Sequence, residues 1–164
     1  IERPTNPTPR SATSEERKIY NEYKTISLKV ANDIAAGKLE YKKSNEFINS
    51  GDLDSATRRG QVALNFFGNA YSDSLFLNSN YPETVSFAYL FTEVNSARAG
   101  ITKYLKAAVQ ENLDYIYYKS GLDYNSMQRA AIQETDFLDK AGAWTDFYNS
   151  KTSSLSEVTG AYFE

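Results

Sequence analysis

The sequence predicts an all-α fold, an elongated antiparallel up-down bundle of four main helices preceded by an extended, proline-containing segment. Three observations predict it. Apolar residues recur at steps of three and four over long stretches, the spacing of one helix face. No segment shows sustained period-two alternation between hairpin turns, and neither Asn-Gly nor Asp-Gly occurs in the chain. The apolar stretches are joined by short connections, which make sequential helices antiparallel neighbours.

Residues 1–12 hold three of the four prolines and read as an extended polyproline-type linker, because each proline fixes φ and lacks an amide donor. Part of this leader is expected to rest against the bundle, which spans residues 13–164. Thr13-Ser14-Glu15-Glu16 is a capping box that starts the first helix. Ile19, Tyr23, Ile26, Val30 and Ile34 then form one stripe, and Tyr41 and Ile48 continue its phase. Gly37 leaves two alternatives open: a continuous rod, or a left-handed cap that splits off a fifth helix over 41–50.

Ser50-Gly51-Asp52 marks a turn, and Leu53, Ala56, Gly60, Leu64, Phe67, Tyr71 and Leu75 make the second stripe, ending near Asn78. Asn80 or Tyr81 as N-cap and Pro82 in the first turn restart the chain, since proline's missing amide hydrogen costs nothing there. The third stripe, Phe87 to Ile116, implies a helix over 82–119 about 57 Å long at 1.5 Å per residue. Gly121 is expected as a left-handed cap and Asp123 as the next N-cap. The last stripe comprises Ala130, Phe137, Ala141, Trp144, Tyr148, Leu155, Val158 and Tyr162. Its weak-helix run 149–154 predicts a kink or break. Ala56, Gly60, Ala97, Gly100 and Ala141 are small enough to let helix axes approach closely.

Composition excludes several chemistries. The chain has 164 residues, no cysteine and no histidine, so disulfides, thiolate or imidazole metal sites and Ser-His or Cys-His pairs are ruled out by stoichiometry. No cofactor and no metal is expected. Residues 1–60 carry eleven Lys/Arg against nine Asp/Glu and the remainder seven against twelve, within a net charge of −3. No dense cationic face for nucleic acid follows from that balance; Arg58, Arg59, Lys38, Lys42 and Lys43 read as solvated charges. The carboxylate pairs Glu111/Asp114 and Asp136/Asp139 read as solvated acidic faces. No apolar run reaches the length of a membrane span. The Ile1 start suggests a processed or truncated chain whose targeting segment, if any, has been removed; tethering to a membrane through such a segment is one expectation.

Two features are candidate binding elements. Thirteen tyrosines occur, and Tyr115, Tyr117, Tyr118 and Tyr124 gather around the third turn, where rigid rings with hydrogen-bonding tips suit recognition. The competing reading has some of these rings closing the end of the core. Arg98, between Ala97 and Ala99 beside an apolar stripe, is either a buried cation clamping an anionic ligand between helices, with a carboxylate partner required by burial, or a side chain that snorkels to the surface. The leading functional expectation is a non-catalytic, extracytoplasmic bacterial interaction domain of lipoprotein type, meeting a protein or cell-envelope partner; a cytoplasmic location is the alternative. A ligand-sensing bundle of a membrane-anchored receptor comes second, and would show a pocket of at least about 300 Å³ lined by Arg98, Tyr104 or Trp144. An enzyme using Asp, Glu and Tyr comes last.

Overall fold

A computed structural model of the chain describes residues 11–164, so all but Ser11 and Ala12 of the expected leader lie outside the described residues. Four helices, α1 (Ser14–Ser50), α2 (Leu53–Leu77), α3 (Ala88–Ser120) and α4 (Tyr124–Phe163), run up and down in sequence, with no strand among the described residues.

The capping box starts α1: Thr13 Oγ1 accepts from the Glu16 amide at 3.1 Å and Glu16 Oε1 from the Thr13 amide at 3.0 Å. The helix passes unbroken through Gly37, which closes the question of a fifth helix. Gly37 is buried under Phe67 of α2, and a Cβ placed there would meet the ring at 2.6 Å. Close contact with α2, and no chain reversal, is what this glycine provides.

Both hairpin connections are built alike. At the end of α1 the amides of Gly51 and Asp52 return to Ile48 and Phe47 carbonyls, with Gly51 left-handed at φ 85°, and Asp52 then caps α2 through the Ser55 amide. At the end of α3 the amides of Leu122 and Asp123 return to Lys119 and Tyr118, and Asp123 caps α4 through Ser126. This is the six-to-one, five-to-two closure of helix ends. In the second turn, however, the left-handed residue is Leu122, at φ 57°, while Gly121 has φ −91°. The expected cap at Gly121 is thus displaced by one position, because Asp123 must serve at once as the last residue of one motif and the N-cap of the next.

Two other expectations are corrected. The third helix begins at Ala88, not at 82, and is therefore about 50 Å long. Residues 78–87 fold over the end of the bundle instead, burying Pro82, Val85 and Phe87; that burial outweighs proline's preference for a first turn. The last helix shows no break over 149–154 and continues for 40 residues. Serine and threonine cost only a few tenths of a kcal/mol each in a helix, and Tyr148, Leu155 and Val158 hold both sides of the run against the core.

The side chains pack in three clusters strung along the long axis. An aromatic one lies at the end holding the 78–87 connection and the α4 C-terminus, one around Phe67, Leu105 and Val109 at the centre, and a small one around Ile48, Ala56 and Ile116 at the hairpin end. The expected small residues Ala56, Gly60, Ala97, Gly100 and Ala141 are all buried. A Cβ at Gly60 would lie 2.7 Å from Leu113, and one at Gly100 2.4 Å from Trp144, so α2, α3 and α4 meet at these glycines. Helix α1 packs on α2, α2 on α3 and α3 on α4, whereas α1 and α4 form no close helix-on-helix interface. The ring of helices is therefore open on one side.

Candidate functional site

The open side is a groove with α1 and α4 as walls and α3 as floor. Its wide part, about 310 Å³, is lined by Val30, Ile34, Ile101 and Tyr148, with Lys38, Thr145 and Asn149 among its polar residues. Its narrow part, about 170 Å³, runs toward the chain terminus past Tyr20, Phe91, Val94, Thr152 and Leu155. Arg98 lines both parts and marks their junction. The groove has structured ends. Tyr20 stacks on Phe163 at 4.1 Å between ring centroids, and Arg17 Nη1 donates to the Phe163 carbonyl at 2.8 Å. One turn beyond Lys38, the Tyr41 hydroxyl crosses to Glu134 Oε1 at 2.6 Å.

Arg98 is only 9% exposed, which overturns the surface-snorkelling alternative. Its Nη1 donates to the Tyr23 hydroxyl at 2.6 Å and to Asn95 Oδ1 at 3.0 Å. Tyr23 in turn donates to Asn95 Oδ1 at 2.6 Å, and Asn95 Nδ2 holds the Leu77 carbonyl at the end of α2 at 2.9 Å. The guanidinium also lies 5.6 Å from the ring centroids of both Tyr23 and Tyr148, close enough for cation–π attraction. The carboxylate that burial was expected to demand is missing: no described residue forms an ion pair with Arg98, and neither part of the groove has an Asp or Glu in its lining. Tyr23 does not substitute as a counter-ion, because burial pushes its hydroxyl above the usual tyrosine range, outweighing the opposing pull of Arg98. The Nε and Nη2 donors have no acceptor among the described residues.

A second polar group in the groove is unsatisfied. Thr145 and Thr159 return their hydroxyls to carbonyls one turn back at 2.8 Å, the usual resort of threonine within a helix. Thr152 does not: its Oγ1 is buried with no hydrogen-bond partner among the described residues, and it lines the narrow part beside Arg98.

The tyrosine cluster is a separate place. Tyr117 and Tyr124 are 74% and 68% exposed, and the Tyr117 and Tyr118 rings meet edge to face at 5.6 Å. Tyr115 leans on the Ile48 cluster, as the core-closing reading expects. The structure does not bring Arg98 to this tip, since nineteen residues of α3 separate it from Tyr117, roughly 28 Å of helix.

A larger cleft, about 870 Å³, opens between the start of α1 and residues 76–84; it is lined by Glu15, Glu16, Glu22 and Glu83 and reaches Thr13, close to where the described residues begin. Elsewhere, Glu111 and Glu134 have their carboxyls raised, chiefly by burial, but they open into separate shallow clefts. No group of Asp and Glu among the described residues is placed to hold a metal. Of the basic candidates, Lys43 and Arg59 both pair with Glu40. No helix among the described residues is long and apolar enough to cross a membrane.

Sequence reasoning singled out Arg98 but missed Tyr23, Asn95, Tyr148 and Thr152. A signal existed for Asn95: it lies one turn before Arg98, between Val94 and Ala97 of the apolar stripe, where an amide must find partners. Compared with family models, curated proteins and solved structures, the chain shows no significant similarity to any of them. What fold and site define is a four-helix bundle with a lateral, cation-floored groove.

Proposed function

We propose that the chain is a non-catalytic binding bundle that takes a small ligand into the groove between α1 and α4. The observation that carries this reading is Arg98, a buried cation without a carboxylate at the junction of two apolar clefts. Burying an ion without an opposite charge costs several kcal/mol, which the bonds of Arg98 to Tyr23 and Asn95 offset only in part, and a fold that needed only packing would place an apolar residue there. The wide part, at about 310 Å³, has the size and mostly apolar lining of a small-ligand pocket. Extracytoplasmic placement, tethered as in a lipoprotein, belongs to the same proposal and is supported by the proline-containing leader; cell fractionation of the tagged full-length gene product checks it.

Uptake of the uncharged fluorophore 1-aminoanthracene tests the binding reading. Ala35 lines the wide part and is exposed, so Ala35→Trp blocks the groove without entering the core. The wild-type chain should enhance the dye's fluorescence and Ala35→Trp should not; equal enhancement by both, or none by either, contradicts the reading.

A second reading, docking of a protein or cell-envelope partner at the hairpin end, is favoured by the exposure of Tyr117, Tyr124 and Leu122, the last 68% exposed in its left-handed conformation. An identified partner whose affinity is unchanged by replacing Tyr117, Tyr118 and Tyr124 together with serine removes it.

A further inference from the structure

Resting on the groove as a binding site, we infer that its ligand is a single-chain amphiphile with a carboxylate head, seated on Arg98 with its apolar body in the wide part. Arg98 is more than nine-tenths buried, and Tyr23 and Asn95 fix the guanidinium through Nη1 alone. The edge carrying Nε and Nη2 therefore keeps two parallel donors, the fork that matches the two oxygens of a carboxylate. Thr152, whose buried hydroxyl has no partner among the described residues, supplies a further donor on the narrow side. Among the described residues, the charged groups lining the groove are Arg98, Lys24 and Lys38. Lys24 is already paired with Glu164, while Lys38 has no ion pair among the described residues and sits at the wide part, so the field inside favours an anion in a chain whose net charge is −3. Val30, Ile34 and Ile101 then offer the body an apolar wall, with Lys38 at the same part of the groove.

The test is calorimetric titration of the full chain with octanoate, 1-octanol and octyltrimethylammonium. Octanoate should bind the wild type roughly tenfold or more tightly than octanol, as a charge-assisted, two-point hydrogen bond requires, and octyltrimethylammonium most weakly. In Arg98→Met, octanoate should fall to the level of octanol while octanol is unchanged; Arg98→Lys, which keeps the charge but loses the fork, should recover part of the preference. Circular dichroism checks that each variant folds, and the wild-type comparison stands without them. Equal affinities for octanoate and octanol in the wild type, both abolished by Ala35→Trp, overturn the carboxylate assignment but leave the groove as a binding site. A preference that survives in Arg98→Met overturns it as well. If none of the three probes binds and 1-aminoanthracene is also refused, the groove itself is not a binding site, and the assignment falls with it.

Discussion

The Tyr23 hydroxyl receives Arg98 Nη1 at 2.6 Å and passes its own hydrogen to Asn95 Oδ1 at 2.6 Å, so one phenol oxygen ties α1 to the polar centre of α3. Removing it costs Arg98 and Asn95 one hydrogen bond each while leaving them bonded to each other at 3.0 Å, a loss of about 1–3 kcal/mol when one of the two bonds is charge-assisted. Tyr23→Phe should lower the unfolding free energy by that amount in urea titrations, with an unchanged helical spectrum.

Arg98→Met should behave differently. It removes an uncompensated charge and leaves the Tyr23 to Asn95 bond intact, and replacing buried ions by apolar residues of similar size is often neutral or stabilising by about 1–4 kcal/mol. Equal or greater stability than wild type is expected from thermal unfolding, which separates a residue kept for binding from one kept for folding.

Two glycines inside helices should respond with opposite sign to the same change. A Cβ at Gly100 meets three atoms of the Trp144 ring at 2.4–2.5 Å, whereas one at Gly142 meets nothing within 4 Å. Gly142→Ala gains about 1 kcal/mol of helix propensity, while Gly100→Ala must push α4 from α3 at an overpacking cost of about 1–3 kcal/mol. Urea midpoints should rise for the first and fall for the second.

Leu122 adopts φ 57° where the other hairpin uses a glycine. A left-handed non-glycine residue costs about 1–2 kcal/mol, and glycine's added unfolded-chain entropy returns about 0.4–1 kcal/mol of that. Leu122→Gly should therefore stabilise by about 0.5–1 kcal/mol in chemical denaturation, whereas Gly51→Ala destabilises.

The Glu134 carboxyl is raised chiefly by burial, which together with the Glu111 charge outweighs the opposing Tyr41 hydrogen bond. The folded state thus holds the proton more tightly than the unfolded chain. That stabilisation is complete below the unfolded-state value of about 4.3 and is lost as pH rises through the folded-state value. Glu134→Gln keeps an acceptor for Tyr41 without the charge. Its stability relative to wild type should be greater at pH 7 than at pH 4, as measured by urea titration at both.

Much of the fold is legible in the sequence because three- and four-residue spacing, a capping box and an Asp N-cap are local signals: Thr13, Glu16 and Asp123 act where the residue order places them, and Asp52, legible only as part of a turn, serves as an N-cap too. The three misreadings at 82, 121 and 149–154 arise where packing outweighs a local preference: burial of Val85 and Phe87, the double duty of Asp123, and the grip of α3 on Leu155. Of the site, Arg98 is legible as an odd cation beside an apolar stripe. Tyr23, Tyr148 and Thr152 are not, because only the separation of α1 from α4 assembles them, and no spacing within one helix encodes a gap between two.

Arg98 lines both parts of the groove with its Nε and Nη2 donors unused among the described residues, and the Nε–H resonance of its side chain reports directly on whether an anion takes them up. In ¹⁵N–¹H spectra of the full chain, assigned by the peak missing from Arg98→Lys, octanoate should move the Arg98 Nε–H signal downfield in proportion to saturation and leave the other arginines in place. An Arg98 signal that stays fixed while octanoate binds contradicts the account.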